Sequence, residues 1–134
     1  ARGRLDMLEE LKDQKNLRNE AFDLFQKMFK NISFIYKMDF KQDIKNRKQA
    51  LAILRFWQQF LRDIRLLKLG YRDHIIHGDK MEEMEELSHF SSRVLDFWIK
   101  KTVEMELELS SNFDLILCFE NFMILVKQSL KGNF

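Results

Sequence analysis

Apolar residues recur along this chain at steps of three and four, and that spacing predicts helices almost throughout. Leu5, Leu8 and Leu11 mark a short charged helical segment, and the polar stretch Lys12 to Asn16 then reads as a connector. Ala21, Phe22, Phe25, Met28, Phe29 and Ile32 form one face of a helix expected to end near Asn31, and Ser33 is placed to cap a short helix through Phe40. The longest stripe is Leu51, Leu54, Trp57, Phe60, Leu61, Ile64, Leu67 and Leu69, sustained for about six turns. Asn46 is its expected N-cap, and Gly70 its stop, since a glycine accepts the left-handed turn that ends a helix.

Beyond Gly70, Asp79 stands three residues before Glu82, an acidic variant of the capping box, and opens an expected helix with Met81, Met84 and Leu87. Ser91 or Ser92 starts the next, whose stripe is Val94, Leu95, Trp98, Ile99, Thr102, Met105 and Leu109. Ser110, Ser111 and Asn112 supply a turn and cap before a last helix that is apolar on nearly every side, from Phe113 through Phe119 and Phe122 to Val126. A helix of that kind is central or lies at an interface. No strand-like alternation, internal repeat or low-complexity tract interrupts the pattern. The sequence therefore predicts an all-α bundle of about five or six helices, with Trp57, Phe60, Leu67, Trp98, Phe119 and Phe122 in its core.

Composition narrows this picture. The 134 residues suit a single domain, and the absence of proline leaves only four glycines to interrupt helices. Cys118 is the single cysteine, which excludes an internal disulfide and a multi-cysteine metal site and makes a reducing, cytoplasmic setting the simplest expectation. The longest apolar run, Leu115 to Val126, contains Glu120 and Asn121 and is too short for a bilayer, so no membrane segment is expected. The chain opens without an initiator Met or signal peptide, as expected of a piece of something longer.

The net charge of +2 hides an asymmetry. From Asn46 to Arg72 the chain carries Arg47, Lys48, Arg55, Arg62, Arg65, Lys68 and Arg72 against Asp63 alone. From Met81 to Leu109 the balance reverses, with Glu82, Glu83, Glu85, Glu86, Asp96, Glu104, Glu106 and Glu108 against Arg93, Lys100 and Lys101. Near-balanced charge and the lack of a base-reading motif disfavour direct nucleic-acid binding. The aromatics lie on the apolar stripes, where they read as core and not as a stacking platform.

The segments FLRDIRLLKLG (Phe60 to Gly70), IIHGDKMEEMEELS (Ile75 to Ser88) and SNFDLILCFENFMILV (Ser111 to Val126) together resemble the C-terminal domain of delta-prime subunits of the bacterial DNA polymerase III clamp loader. In the third segment Asn112 is followed by Phe113, where the family has proline. The opening Ala1 to Leu8 is similar to the end of the ATPase lid that precedes that domain. The resemblance implies a lid and linker over residues 1–16 and a helical collar over 17–134. It implies no catalysis by this piece, although the full-length subunit would belong to the DNA-directed DNA polymerase III holoenzyme.

The chain has no GxxxxGK[ST] phosphate loop, so no nucleotide site of that kind and no cofactor is expected. The implied partners are the collar domains of the delta and gamma/tau subunits, with the sliding clamp and primed DNA reached only through the whole complex. The candidate interface is the basic face Arg55, Arg62, Arg65 and Lys68, since a ring joins two unlike surfaces head to tail and this chain offers one basic and one acidic helix.

A competing reading comes from Arg72-Asp73-His74-Ile75-Ile76-His77, which fits the Arg-polar-x-x-x-His pattern of HEPN ribonucleases. There, Arg72 would stabilise phosphate charge and His77 act as acid or base across a dimer. The same residues fall inside the longer delta-prime resemblance, in a loop where the ribonuclease motif should open a helix. His74, His77 and His89 lack a supporting carboxylate spacing for a metal and are expected at the surface.

Overall fold

The helical spacing is realised as six α-helices in a computed structural model that describes residues 2–30 and 39–132, with side chains for 8–29 and 39–132. They are α1 (Arg2–Lys30), α2 (Phe40–Asp43), α3 (Arg47–Leu69), α4 (Met81–Leu87), α5 (Ser92–Ser110) and α6 (Leu115–Leu130), with 3-10 turns at Arg72–His74 and Gly78–Lys80. No strand occurs among the described residues, and no helix there is long and apolar enough to cross a membrane.

Helix α3 is the spine. It packs on α1 along one side and α5 along another, touches α4 at its C-terminal end, and α6 closes the bundle against α5, α1 and α2. Trp57, Phe60, Trp98, Phe119 and Phe122 are all buried as expected, whereas Leu67 is only partly covered. Phe29 of α1 joins the two tryptophans, its ring 4.6 Å from Trp98 and 6.3 Å from Trp57. Both buried indoles find acceptors: Trp57 donates to the Ala21 carbonyl at 2.8 Å and Trp98 to Ser129 Oγ at 2.7 Å. A large apolar body with one satisfied polar edge thus ties α3 to α1, and α5 to α6.

The helix ends follow local chemistry, with four departures from expectation. Asn46 and Ser91 cap α3 and α5 as read, accepting from Gln49 N–H and Val94 N–H. Gly70 takes φ 88°, its N–H bonding Leu67 O while Tyr71 N–H bonds Leu66 O, so the last carbonyls of α3 are satisfied. The proposed connector Lys12 to Asn16 is helical, because its Lys and Gln residues favour helix and no Gly or Pro interrupts. All of Leu8 to Asn16 is exposed, and packing begins at Leu17.

Asp79 does not cap α4. Its carboxylate is taken by Arg18, and the helix begins at Met81 with Lys80 at the N-cap position and no side-chain cap. The cap of α6 is Asp114, accepting from Leu117 N–H at 2.9 Å, and not the Ser110–Asn112 turn. Ser33 and Asn31 lie outside the described residues; Phe40 opens α2 instead of closing a helix, with Asp39 as its cap.

The return of the chain after α3 is fixed by a residue that looked like a minor charge in the sequence. Asp63 is completely buried in α3, and its carboxylate accepts from the backbone N–H of Ile76 at 3.1 Å and of His77 at 2.8 Å. These charge-assisted bonds offset the cost of burying the carboxylate. Asp63→Asn replaces one acceptor oxygen with a donor facing a backbone N–H, and urea denaturation should show a loss of about 2 kcal/mol. An unchanged midpoint would show that the carboxylate does not hold the loop.

Candidate partner interface

Helices α3 and α5 run side by side, and the basic residues of the first meet the acidic residues of the second. Arg55 Nε lies 3.2 Å from Glu106 Oε1, and Arg65 Nε lies 2.9 Å from Asp96 Oδ1 while its NH1 donates to Ser92 Oγ at 3.0 Å. Gln58 bridges the same seam, its amide nitrogen donating to Glu106 Oε2 at 3.1 Å and to the Thr102 carbonyl at 3.3 Å. The Gln58 amide first, and then the Arg55 guanidinium, hold the Glu106 carboxyl below the usual range against the opposing effect of burial. Lys68 donates to the Ser88 carbonyl at 3.3 Å.

Of the four residues singled out from the sequence, three are therefore engaged within the chain. Arg62 is the exception: it is exposed and makes no ion pair among the described residues. It lies seven residues beyond Arg55, in the same row of α3. On α5, Val103 lies seven residues beyond Asp96 and Leu107 one turn further, and they are 49% and 67% exposed. The outer α3–α5 face thus offers the uncommitted Arg62 and Lys100, neither in an ion pair among the described residues, with the uncovered apolar side chains of Val103 and Leu107. Val103 and Leu107 were legible in the sequence as apolar residues off the buried stripe, but the charge pattern drew attention elsewhere.

Helix α6 shows the same feature more weakly. Its inner side buries Cys118, Phe119, Phe122 and Val126, while Leu117 and Ile124 stay exposed, so its apolar excess lies partly at the surface. Burial first, and then Glu108 beside it, push the Cys118 thiol up to about 11, away from the thiolate form.

Arg47, at the start of α3, reaches across to the end of α5, donating to the Leu109 carbonyl at 2.8 Å and the Phe113 carbonyl at 2.7 Å. It supplies the partner that carbonyls at a helix C-terminus lack. Between the exposed half of α1 and α3 runs an open groove of about 730 Å³, walled by Glu10 and Asp13 on one side and Lys48 and Arg55 on the other, with Leu17 and Phe56 among its lining.

Arg72 and His77 are separately committed. Arg72 is exposed and pairs with Glu85 on α4, while one of its nitrogens contacts Met81 Sδ. His77 is buried, contrary to the surface position expected of it, because Asp63 draws its backbone inward; its ring packs edge-on to Phe60 at 4.7 Å. Its Nε2 lies 2.8 Å from Gln59 Oε1 and its Nδ1 3.2 Å from Arg18 NH1. His74 and His89 are exposed, and among the described residues no three His, Cys, Asp or Glu side chains are grouped to hold a metal ion.

Comparison with family models, with curated proteins and with solved structures returns no match for this chain.

The ion pairs on the α3–α5 face make separable predictions. Arg65→Glu sets two carboxylates side by side and should lower stability by about 1 kcal/mol. Arg62→Glu breaks no bond and should leave the thermal midpoint unchanged. Equal losses in calorimetry would contradict the assignment of Arg62 as uncommitted.

Proposed function

We propose that this chain is the C-terminal oligomerisation domain of a cytoplasmic bacterial DNA polymerase III clamp-loader subunit of the delta-prime type. Its task is to pack against the corresponding domains of the delta and gamma/tau subunits and hold the loader together, so that the ATPase modules act in fixed order on a sliding clamp and primed DNA. No catalytic residue is assigned to it.

The observation that carries this reading is the condition of Arg62, inside the FLRDIRLLKLG segment that resembles the family. Of Arg55, Arg62, Arg65 and Lys68, it alone is without a partner among the described residues, and it is exposed, as are Val103 and Leu107 on α5. Exposed apolar side chains together with an uncommitted arginine favour a protein partner, since both gain from being covered. The engagement of Arg72 by Glu85, and of His77 by Gln59 and Arg18, gives no support to the ribonuclease alternative.

The test is the mass in solution, by light scattering after gel filtration, of this chain alone and mixed with the delta and gamma/tau collar domains of the same organism. A hetero-oligomer of defined mass is expected, weakened at least tenfold by Arg62→Glu with Leu107→Glu, an effect of the size expected for a central interface residue. A homodimer indifferent to those partners would overturn the reading and make Arg72 and His77 the residues to mutate.

A further inference from the structure

The contact between α1 and the loop after α3 turns on one imidazole nitrogen. His77 Nε2 faces Gln59 Oε1 at 2.8 Å and His77 Nδ1 faces Arg18 NH1 at 3.2 Å. A guanidinium can only donate and an amide oxygen can only accept, so the pair of contacts selects the neutral tautomer with hydrogen on Nε2 and a bare Nδ1. Arg18 continues to Asp79, donating from both terminal nitrogens at 2.8 Å.

We propose that His77 is a proton-operated latch between α1 and the bundle: a proton taken from solvent onto Nδ1 removes the acceptor that Arg18 uses and loosens the helix there. The charged groups around the ring are Arg18 from α1, Asp63 from α3 and Asp79 from its own loop, with Gln59, Phe56 and Phe60 completing the α3 side. Both oxygens of Asp63 are occupied by the Ile76 and His77 backbone N–H groups, and both of Asp79 by Arg18. Neither carboxylate is hydrogen-bonded to Nδ1, whose partner is Arg18. The link left after protonation, Arg18 to Asp79, is half open to water on the Asp79 side and correspondingly weak.

Burial first, and Arg18 second, hold the imidazole below its ordinary value, against Asp63 and Asp79. Its stabilising contribution is therefore complete above about pH 6.5 and is lost as the pH falls through the lower folded value. Leu8 to Asn16 of α1 are exposed, so Arg18 stands at the edge of the described packing of α1. Glu10 and Asp13 of α1 wall the groove facing α3, and Gln59, the partner of His77 Nε2, is among its lining.

The test is amide hydrogen exchange of the intact chain at pH 7.5 and 5.5, corrected for intrinsic rates, comparing residues 17–24 of α1 with 98–109 of α5. Protection of 17–24 should fall about tenfold more than that of the α5 segment in the wild type. In His77→Asn it should not, because an amide oxygen stands in for Nδ1 and does not titrate. Nitrogen-15 shifts of the wild-type imidazole should show a bare Nδ1 at pH 7.5, with a titration midpoint coincident with the loss in α1. An α1 response equal in both proteins, an Nδ1 already protonated at pH 7.5, or an imidazole that titrates without any change in α1 would overturn the proposal.

Discussion

A single buried carboxylate governs how this bundle closes. Asp63 lies in the middle of α3 with no contact with water, and a charge in that position is tolerable only while strong donors surround it. The donors are two consecutive backbone N–H groups of the segment that follows the helix, so satisfying Asp63 and folding the loop back are the same event. That return turns His77 inward against Phe60 and leaves Asp79 where Arg18 of α1 can reach it. Without Asp63 the loop has few reasons to take this path, since its own residues from Tyr71 to His74 and Ile76 are exposed.

The division between what was and was not legible in the sequence follows from this. Periodicity located α3, α5 and α6, because an apolar stripe is a local property repeated over many turns, and the Asn46, Ser91 and Gly70 boundaries followed because capping acts within a few residues. Asp79 was misread for the complementary reason. Its spacing to Glu82 is local, but Arg18, sixty-one positions away, outcompetes the backbone for its carboxylate. Arg47 likewise counted as one more positive charge in a basic stretch until the fold brought the end of α5 to it. Polar residues whose partners are remote in sequence carry no periodic signal, and Asp63, Arg47, Arg18 and His77 are all of this kind.

Charge asymmetry, too, changes meaning in three dimensions. Basic α3 and acidic α5 suggested two surfaces for two neighbours, yet Arg55 with Glu106 and Arg65 with Asp96 discharge much of that difference inside the chain. Half-exposed pairs of this sort add little stability, but they fix which parts of the face remain chemically unspent. What remains includes Arg62 and Lys100 with Val103 and Leu107.

The exposed stretch Leu8 to Asn16 of α1 has a mechanical consequence. From Arg18 back to Arg2 the helix is continuous, a rod of roughly 24 Å at the ordinary rise per residue. A rod anchored at one end converts rotation into displacement, so tilting it by about 10° at Arg18 would swing its tip by roughly 4 Å. Whatever is joined to that tip is steered by bonds made far from it, and the geometry of a few side chains around His77 becomes the gearing of a lever.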